Sequence, residues 1–248
     1  MATRKLLWNP GTPEAAPAAD VVHVWCIDLD LPQARVDGLF QTLSPDERDR
    51  AGRFKFASGR NHYIVGRAML RRLLGGALSL DPAALKFSYG PHGKPELAGT
   101  AAGLLRFNLS HSSGLALIAV TSGCPVGVDI EHTRPAKLAS EIAARFFTQR
   151  ESNALGQLSE ASRAEAFLRL WTRKEAWLKA TGGALVESIR RVEISVHPGE
   201  PARVLEVEGR PGEAAAWTLT DLQPADGFIG ALAVRAGDLN VSCRAWVE

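Results

Sequence analysis

Cysteine is scarce in this sequence of 248 residues. The three cysteines, Cys26, Cys124 and Cys243, are odd in number and far apart, and their spacing matches no zinc motif. This scarcity excludes a disulfide framework and a structural zinc site built on cysteine. We therefore expect a protein of the reducing cytoplasm.

Long hydrophobic runs are absent as well. No stretch reaches the roughly 20 apolar residues that span a bilayer. The N-terminal segment begins with basic residues but has no apolar core of the length found in secretion signals. We expect neither membrane insertion nor export.

A large excess of charge of either sign is also missing. Lys and Arg total 29 against 27 Asp and Glu, a net charge of +2, which argues against a dedicated nucleic-acid or membrane-surface protein. Segment 44–72 is nevertheless locally basic, with eight Lys and Arg residues against three acidic ones. It is either a solvated helix face or a wall that binds polyanions. It has few of the interleaved aromatic residues that single-stranded nucleic acids prefer.

One order of elements occurs twice in the sequence. Ser44 to Glu47 ("SPDE") and Thr148 to Glu151 ("TQRE") both have the pattern of a capping box at a helix start. A long helical pattern ending in a Gly pair follows each box, and strand patterns come next. This order is also common enough to recur by coincidence. We predict an α+β fold with two similar lobes in one chain, related by pseudo-twofold symmetry.

Each lobe is expected to consist of a small antiparallel sheet packed with a long helix. We place a flexible leader rich in Pro and Ala at 1–20, an N-terminal lobe at 21–122 and a C-terminal lobe at 123–248. An active site would then lie between the two lobes. We expect a monomer.

The strand pattern "VGVDIE" at 126–131 contains two carboxylates. Because side chains alternate along a strand, Gly127, Asp129 and Glu131 share one face. The Cα atoms of the two acidic residues would be roughly 7 Å apart, and like charges repel at that distance unless a positive group lies between them. A solvated strand face is the ordinary explanation for such a pair.

The helical pattern "WTRKEAWLKATG" at 171–182 adds a third carboxylate. Glu175 and Lys179, four residues apart, lie at one edge of the apolar stripe, while Arg169 and Arg173 face the opposite way. A surface ion pair would explain the spacing of Glu175 and Lys179. It would not explain Lys174, which falls inside the apolar stripe where an unpaired lysine is rare, although its stem can snorkel.

Together these three carboxylates predict a site for Mg²⁺, which prefers oxygen ligands and often binds phosphate oxygens as well. A lysine beside such a site would meet the phosphate that leaves. This combination indicates phosphoryl transfer, in which positioning and neutralisation of charge provide most of the catalysis.

Candidates for the phosphate-binding side lie between the two helical patterns. Lys94 is on a turn in "PHGKP", and Ser110 and His111 end a strand in "FNLSHSSG". Each has an ordinary explanation as an exposed turn or a polar strand end. Ser110 and His111 are adjacent and would point apart, so we expect hydrogen-bond donors to an anion rather than a catalytic pair.

The motifs "FNLSHS", "VGVDIE", "RFFTQRE" and "WTRKEAWLKATG", in this order and spacing, resemble the 4′-phosphopantetheinyl transferases of the larger, pseudo-dimeric surfactin type. The resemblance is specific over about 44–183. It implies two similar α+β lobes, coenzyme A in the cleft between them, and Mg²⁺, or Mn²⁺ as a substitute, on its pyrophosphate. The implied reaction moves the phosphopantetheine arm to a serine of an apo acyl, peptidyl or polyketide carrier protein and releases adenosine 3′,5′-bisphosphate.

Carried over residue by residue, the resemblance makes Asp129 and Glu175 the metal ligands, with Glu131 as a third. Glu175, or a water bound to the metal near it, would take the proton of the incoming serine, and Lys179 would stabilise charge on the departing phosphate. Asp129 and Lys179 would also contact the coenzyme. The positions that resemble the family's contacts to the coenzyme's phosphates are Arg50, Lys94, Ser110 and His111, with His92 as their neighbour.

Glu47 is a departure from the family pattern. It stands where some members carry a basic contact to phosphate, and its place in the capping box explains it. Arg48 and Arg60 lie nearby in the sequence and would compensate for the missing contact.

Two other functions remain open from the residues alone. A Mg²⁺-dependent phosphohydrolase or nuclease would use the same three carboxylates and would need no carrier protein. A module that only binds a carrier protein or nucleic acid through segment 44–72 would leave those carboxylates without a role.

Overall fold

The computed structural model describes residues 4–12, 15–133, 145–183, 189–197, 199–237 and 239–246. Two helices of 22 residues, Ala57–Leu78 and Glu160–Thr181, are the longest elements among them. The helices are α1 (Gln33–Phe40), α2 (Pro45–Gly52), α3 (Ala57–Leu78), α4 (Gln149–Gln157) and α5 (Glu160–Thr181). No helix within these ranges is both long and apolar enough to cross a bilayer.

The strands form two larger sheets and two hairpin-like pairs. The strands are β1 (Pro10–Gly11), β2 (Val21–Asp28), β3 (Lys86–Tyr89), β4 (Pro95–Ala98), β5 (Arg106–Ser112), β6 (Leu115–Thr121), β7 (Val126–His132), β8 (Val192–Ile194), β9 (Val204–Val207), β10 (Thr218–Leu222), β11 (Phe228–Val234) and β12 (Asn240–Trp246). The larger sheets have the orders β1-β12-β2-β6-β5 and β10-β11-β7, and the pairs are β3-β4 and β8-β9. Antiparallel pairing joins β2, β6 and β5, and also β10, β11 and β7, whereas β12 is parallel to β1 and β2.

One long helix packs against each of the larger sheets. Leu70 of α3 shares a buried cluster with Ile118 of the five-stranded sheet, and Leu170 of α5 shares another with Ala231 of the three-stranded sheet. A third buried cluster joins the two sheets to each other. Because burial of apolar area is the main stabilising contribution, the third cluster couples the two halves into one molecule. The predicted α+β class with two lobes is confirmed.

Both capping-box glutamates are buried, and each meets a cation on the long helix that follows. Glu47 accepts hydrogen bonds from Arg67 and Arg71, and Glu151 lies 2.8 Å from Nζ of Lys174. In each lobe the cation also donates to two backbone carbonyls just beyond its helix. These are Pro82 and Leu85 for Arg71, and Ile189 and Val192 for Lys174.

This correspondence supports the prediction of two similar lobes, because the same set of buried polar contacts occurs once in each. It also explains Lys174, which the helical pattern placed in the apolar stripe. Its side chain is fully buried and has a carboxylate and two carbonyls as partners, as a buried ammonium group requires.

Glu47→Gln is expected to lower stability at neutral pH by about 3 kcal/mol, because it leaves two buried guanidinium groups without their carboxylate. Burial alone would raise the pKa of Glu47, but Arg67 and Arg71 outweigh it and lower that pKa below the usual 4.5. A lowered carboxyl pKa adds stability above the unfolded value, and the contribution is lost as pH falls through the folded value. Urea unfolding should therefore show the gap between wild type and variant shrinking below pH 4.5. A gap that does not depend on pH would contradict this assignment.

Both ends of the chain join the sheet of the N-terminal lobe. β12 lies between β1 and β2, although the sequence division placed residues 240–246 in the C-terminal lobe. In the predicted flexible leader, residues 1–3 and 13–14 lie outside the described ranges, whereas Leu6 bridges Ala225 and β1 pairs with β12. These pairings give residues 6–11 fixed neighbours instead of a free leader. The boundaries between the lobes stay a prediction.

Candidate active site

Strands β5 and β7 belong to different sheets and lie side by side at the junction of the lobes. Alternate side chains of β5 form hydrogen bonds across this junction. The contacts are Asn108 Oδ1 with the amide of Val128 at 2.9 Å, Ser110 Oγ with Asp129 Oδ1 at 2.8 Å, and Ser112 Oγ with Glu131 Oε2 at 3.0 Å. One lobe thereby orients the two carboxylates that the other lobe carries.

Helix α5 packs closely on β7 at Gly127. A Cβ atom there would overlap the backbone carbonyl oxygen of Ala176 and the amide nitrogen of Ala180, so only glycine fits this contact. The alternation of β7 puts Asp129 on the same face as Gly127. The close packing therefore brings α5 and its Glu175 next to Asp129.

Glu175 is surrounded by protein and by negative charge. Burial raises the pKa of Glu175 to about 7, the charges of Asp129 and Glu131 add to the rise, and Lys179 opposes it. Oε1 of Glu175 and Oδ2 of Asp129 are buried without a hydrogen-bond partner among the described residues. Buried polar atoms without partners are rare in folded proteins, and a catalytic role or a bound water or ion are among the explanations for them.

Lys179 compensates for part of this negative charge. Its Nζ lies 2.6 Å from Asp129 Oδ1 and 2.9 Å from Ser110 Oγ. The structure thus brings four residues of the predicted site close to one another, namely Asp129, Glu175, Lys179 and Ser110. The adjacent His111 has a lowered pKa because burial disfavours its charged form, and the charges of His62 and Lys179 act in the same direction.

The donor set fits Mg²⁺ chemically. As the side chains stand, no three His, Cys, Asp or Glu residues within the described ranges are close enough to hold a metal ion, and Lys179 supplies the positive charge at Asp129. The two unpartnered carboxylate oxygens are nevertheless hard ligands, and the two carboxylates are near enough for the charge of Asp129 to raise the pKa of Glu175. Mg²⁺ typically takes one or two carboxylates and completes its shell with water and phosphate oxygens. Asp129 and Glu175 meet that requirement, with Glu131 adjacent.

A cleft of two adjoining cavities runs from the carboxylates along the N-terminal lobe. The cavities measure about 470 and 260 Å³ and share Gly93, Pro95 and Leu109. The larger is lined by side chains from both lobes, including His92, Lys94, Glu175 and Lys179. The smaller is lined by polar side chains of the N-terminal lobe, namely Arg50, His62, Tyr63, Arg67, Tyr89 and His111. Four of the predicted phosphate contacts, Arg50, His92, Lys94 and His111, therefore line one cleft together with Glu175. Ser110 does not line this cleft and instead bonds to Asp129 and Lys179.

Comparison with known proteins agrees with this geometry. Residues 125–233 match the model of the 4′-phosphopantetheinyl transferase superfamily, and residues 32–123 match the model "4′-phosphopantetheinyl transferase, N-terminal". The 4′-phosphopantetheinyl transferase HetI of Nostoc is 42% identical over 92% of this chain and 93% of its own length. The chain belongs to the 4′-phosphopantetheinyl transferase superfamily. It is a two-domain enzyme of that family, which acts on carrier proteins with coenzyme A.

Two further relatives align with a smaller share of this chain than HetI does. A putative 4′-phosphopantetheinyl transferase of Synechocystis is 34% identical over 68% of this chain and 68% of its own length. The transferase Sfp of Bacillus subtilis is 29% identical over 69% of this chain and 74% of its own length. The predicted family and activity are confirmed, whereas the roles of single residues stay predictions.

Lys94 of the transferase is not a free lysine on an exposed turn, because its ammonium group is bonded to the protein. Its Nζ donates to the backbone carbonyls of Val126 and Lys179, so it links the turn of the N-terminal lobe to β7 and α5. Burial lowers the pKa of Lys94 to about 8. Lys94 still lines the larger cavity, but two of its donors are already used by the protein.

The sequence did not single out several residues that line the smaller cavity. Tyr63, His62 and Tyr89 were missed, and Arg67 was noted only as part of the basic segment. Burial raises the pKa of Tyr63 to about 12, and its buried hydroxyl has no hydrogen-bond partner among the described residues. Tyr63 is therefore neutral near pH 7 and lines the smaller cavity with its hydroxyl unpaired among the described residues. The helical spacing of Tyr63 and Arg67, four residues apart, was the available signal.

The two arginines expected to compensate for Glu47 do not lie in the cleft. The guanidinium groups of Arg48 and Arg60 lie 5.5 and 5.6 Å from the ring centroid of Phe40. Neither arginine is among the residues that line the smaller cavity. Glu47 itself is buried beneath Arg67 and Arg71, so it cannot repel a phosphate in the cleft as an exposed carboxylate would.

Proposed function

We propose that this transferase moves the 4′-phosphopantetheine arm of coenzyme A to a serine of an apo acyl, peptidyl or polyketide carrier protein, with Mg²⁺ held by Asp129, Glu131 and Glu175. The observation that supports this most is the pair of buried, unpartnered carboxylate oxygens next to Lys179 at the end of a cationic cleft. Mn²⁺ would substitute for Mg²⁺, since both accept the same oxygen ligands.

The reaction replaces the phosphoanhydride bond of the coenzyme's pyrophosphate by a phosphoester bond to the serine. The serine Oγ forms a bond to the phosphorus that carries the pantetheine, and the bond from this phosphorus to the bridging oxygen breaks. Adenosine 3′,5′-bisphosphate leaves with that oxygen, and the serine proton passes to Oε1 of Glu175. Glu175 suits this role because its Oε1 has no hydrogen-bond partner among the described residues.

The remaining groups bind the coenzyme and neutralise the charge of its phosphates. When bound, Mg²⁺ neutralises the pyrophosphate and polarises its oxygens. Lys179 Nζ, now on Asp129 Oδ1, is close enough to meet the departing phosphate, and Ser110 orients both of them. In the smaller cavity Arg50, Tyr63 and Arg67 would bind the phosphates of the nucleotide end, with His111 near the pyrophosphate. His92 and Lys94 line the path between these two ends.

Intact-mass spectrometry of several apo carrier proteins after incubation with the enzyme, coenzyme A and Mg²⁺ tests the proposal. Each client should gain the mass of one phosphopantetheine, and EDTA should prevent the gain until Mg²⁺ or Mn²⁺ is restored. Relative rates would rank acyl, peptidyl and polyketide carriers. Hydrolysis of coenzyme A without a carrier would instead favour a phosphohydrolase.

We infer a monomer that acts in the cytoplasm and uses neither nucleic acid nor membrane as a partner. Its client would be an acidic protein that docks near the basic N-terminal lobe, so docking would weaken as salt screens the charges.

A further inference from the structure

A segment that the sequence suggested was loose contacts both lobes and is connected through two side chains to the cleft. We call residues 4–11 the N-terminal arm. The amide of Leu7 donates to the carbonyl of Pro224 at 2.9 Å, Leu6 bridges Ala225, and β1 pairs with β12. These backbone contacts fix the arm along its length. Its first described residue, Arg4, is thereby held close to the junction of the lobes.

Arg4 is bonded to four acceptors of the N-terminal lobe. Nη1 donates to Asp28 Oδ1 and to the carbonyl of Gly114, both at 3.0 Å. Nη2 donates to Asp30 Oδ2 at 3.3 Å and to the carbonyl of Ser113 at 3.0 Å. Asp28 ends β2 and Asp30 lies two residues further on, so their carboxylates would repel, and a guanidinium between them removes that repulsion.

The backbone at Gly114 packs tightly against the side chains of Arg4 and Asp30. Gly114 has a φ of +82°, and a Cβ there would overlap the carboxylate of Asp30 and approach Arg4. The guanidinium of Arg4 also lies 5.4 Å from the ring centroid of Phe228, which belongs to β11 of the other lobe. The arm therefore ends in a site formed by both lobes.

Asp30 connects Arg4 to the cleft. One oxygen of Asp30, Oδ2, accepts from Arg4, and the other, Oδ1, lies 2.7 Å from Nε2 of His62. His62 lines the smaller cavity together with Arg50 and His111. With Nε2 held by Asp30, Nδ1 is the ring nitrogen left for a ligand in the cavity.

We propose that Arg4 and Asp30 are positioning residues for His62, and that His62 contacts the nucleotide end of coenzyme A through Nδ1. This inference rests on the proposed function. Arg4 fixes Asp30, Asp30 fixes the orientation of the imidazole, and a fixed imidazole loses less freedom when the ligand binds. Without Arg4, Asp30 moves away from Asp28 and the ring of His62 is no longer held.

Calorimetric titration of coenzyme A into the full-length protein tests the inference directly. Arg4→Gln, Asp30→Asn and His62→Ala are each expected to raise Kd by about five- to tenfold, as expected for loss of one ordinary hydrogen bond. Transfer assays should show the same rise in KM for coenzyme A with kcat nearly unchanged. Arg210→Gln, a change of an exposed arginine on the other lobe, is the matched control and should bind as wild type does.

A double variant decides whether Arg4 acts through His62. If it does, Arg4→Gln adds nothing to Kd when His62 is already alanine. Additive effects, or a wild-type Kd for Arg4→Gln alone, would overturn the inference while leaving the transferase reaction intact. A melting temperature lowered in Arg4→Gln with unchanged Kd would mean a purely structural arm and would overturn it too. Wild-type protein that binds no coenzyme A would refute the proposed function, and this inference with it.

Discussion

Glu175→Gln is expected to reduce transfer of phosphopantetheine by roughly 10²- to 10³-fold, the loss that follows removal of one group that stabilises developing charge. The amide has almost the same shape as the carboxyl group, but it neither accepts the serine proton nor binds Mg²⁺ as an anion. Oε1 of Glu175 has no hydrogen-bond partner among the described residues, so the substitution breaks no hydrogen bond of that oxygen. Intact-mass kinetics on a carrier protein would measure the loss.

The control for this variant lies on the same helix. Glu165 is 60% exposed and pairs with Arg169 four residues later, away from the cleft. Glu165→Gln should retain full activity. Substantial transfer by Glu175→Gln, with the EDTA effect preserved, would remove Glu175 from the metal site and leave Asp129 and Glu131 as its ligands.

Gly127→Ala is expected to cost about 3 kcal/mol of folding free energy, at the upper end for overpacking, because the added Cβ meets backbone atoms that cannot rotate away. Helix α5 would have to move off β7, which would separate Glu175 and Lys179 from Asp129. The folded fraction should therefore also lose transfer activity. Urea unfolding followed by circular dichroism gives the first effect, and initial rates under folding conditions give the second.

Gly156→Ala provides the comparison within the same lobe. Gly156 is in α4, and a Cβ there would have no atom within 4 Å, so alanine should be neutral or stabilise by up to about 1 kcal/mol. If Gly127→Ala unfolded like Gly156→Ala and kept its activity, the close packing of α5 on β7 would not be what assembles the site.

Local periodicity predicted the acidic centre well. Alternation along β7 placed Asp129 and Glu131 on one face, and helical spacing placed Glu175 and Lys179 on one edge of α5. The same spacing put Arg169 and Arg173 together, and both do contact Asp221. Each of these predictions needs only the geometry of one element, which the sequence specifies directly.

Contacts between distant segments were not predictable in this way. Nothing local indicates that Lys94 donates to carbonyls 32 and 85 residues further on, or that Arg4 reaches Gly114. The family resemblance identified Lys94 but gave it a different partner. The Pro- and Ala-rich composition of the first 20 residues suggested a loose leader, because composition does not show that β12 offers these residues an edge to pair with.

The position of β12 has a consequence for synthesis of the protein on the ribosome. β2 emerges from the ribosome long before its parallel neighbour, β12, because Val21 pairs with Asn240, 219 residues further along the chain. Until then one edge of β2 has no partner, and such an edge is a template for pairing with other chains. Closing a sheet between segments so far apart in sequence is slow. The nascent chain therefore carries an open sheet while the residues between β2 and β12 are made, and this is a state in which chaperones matter.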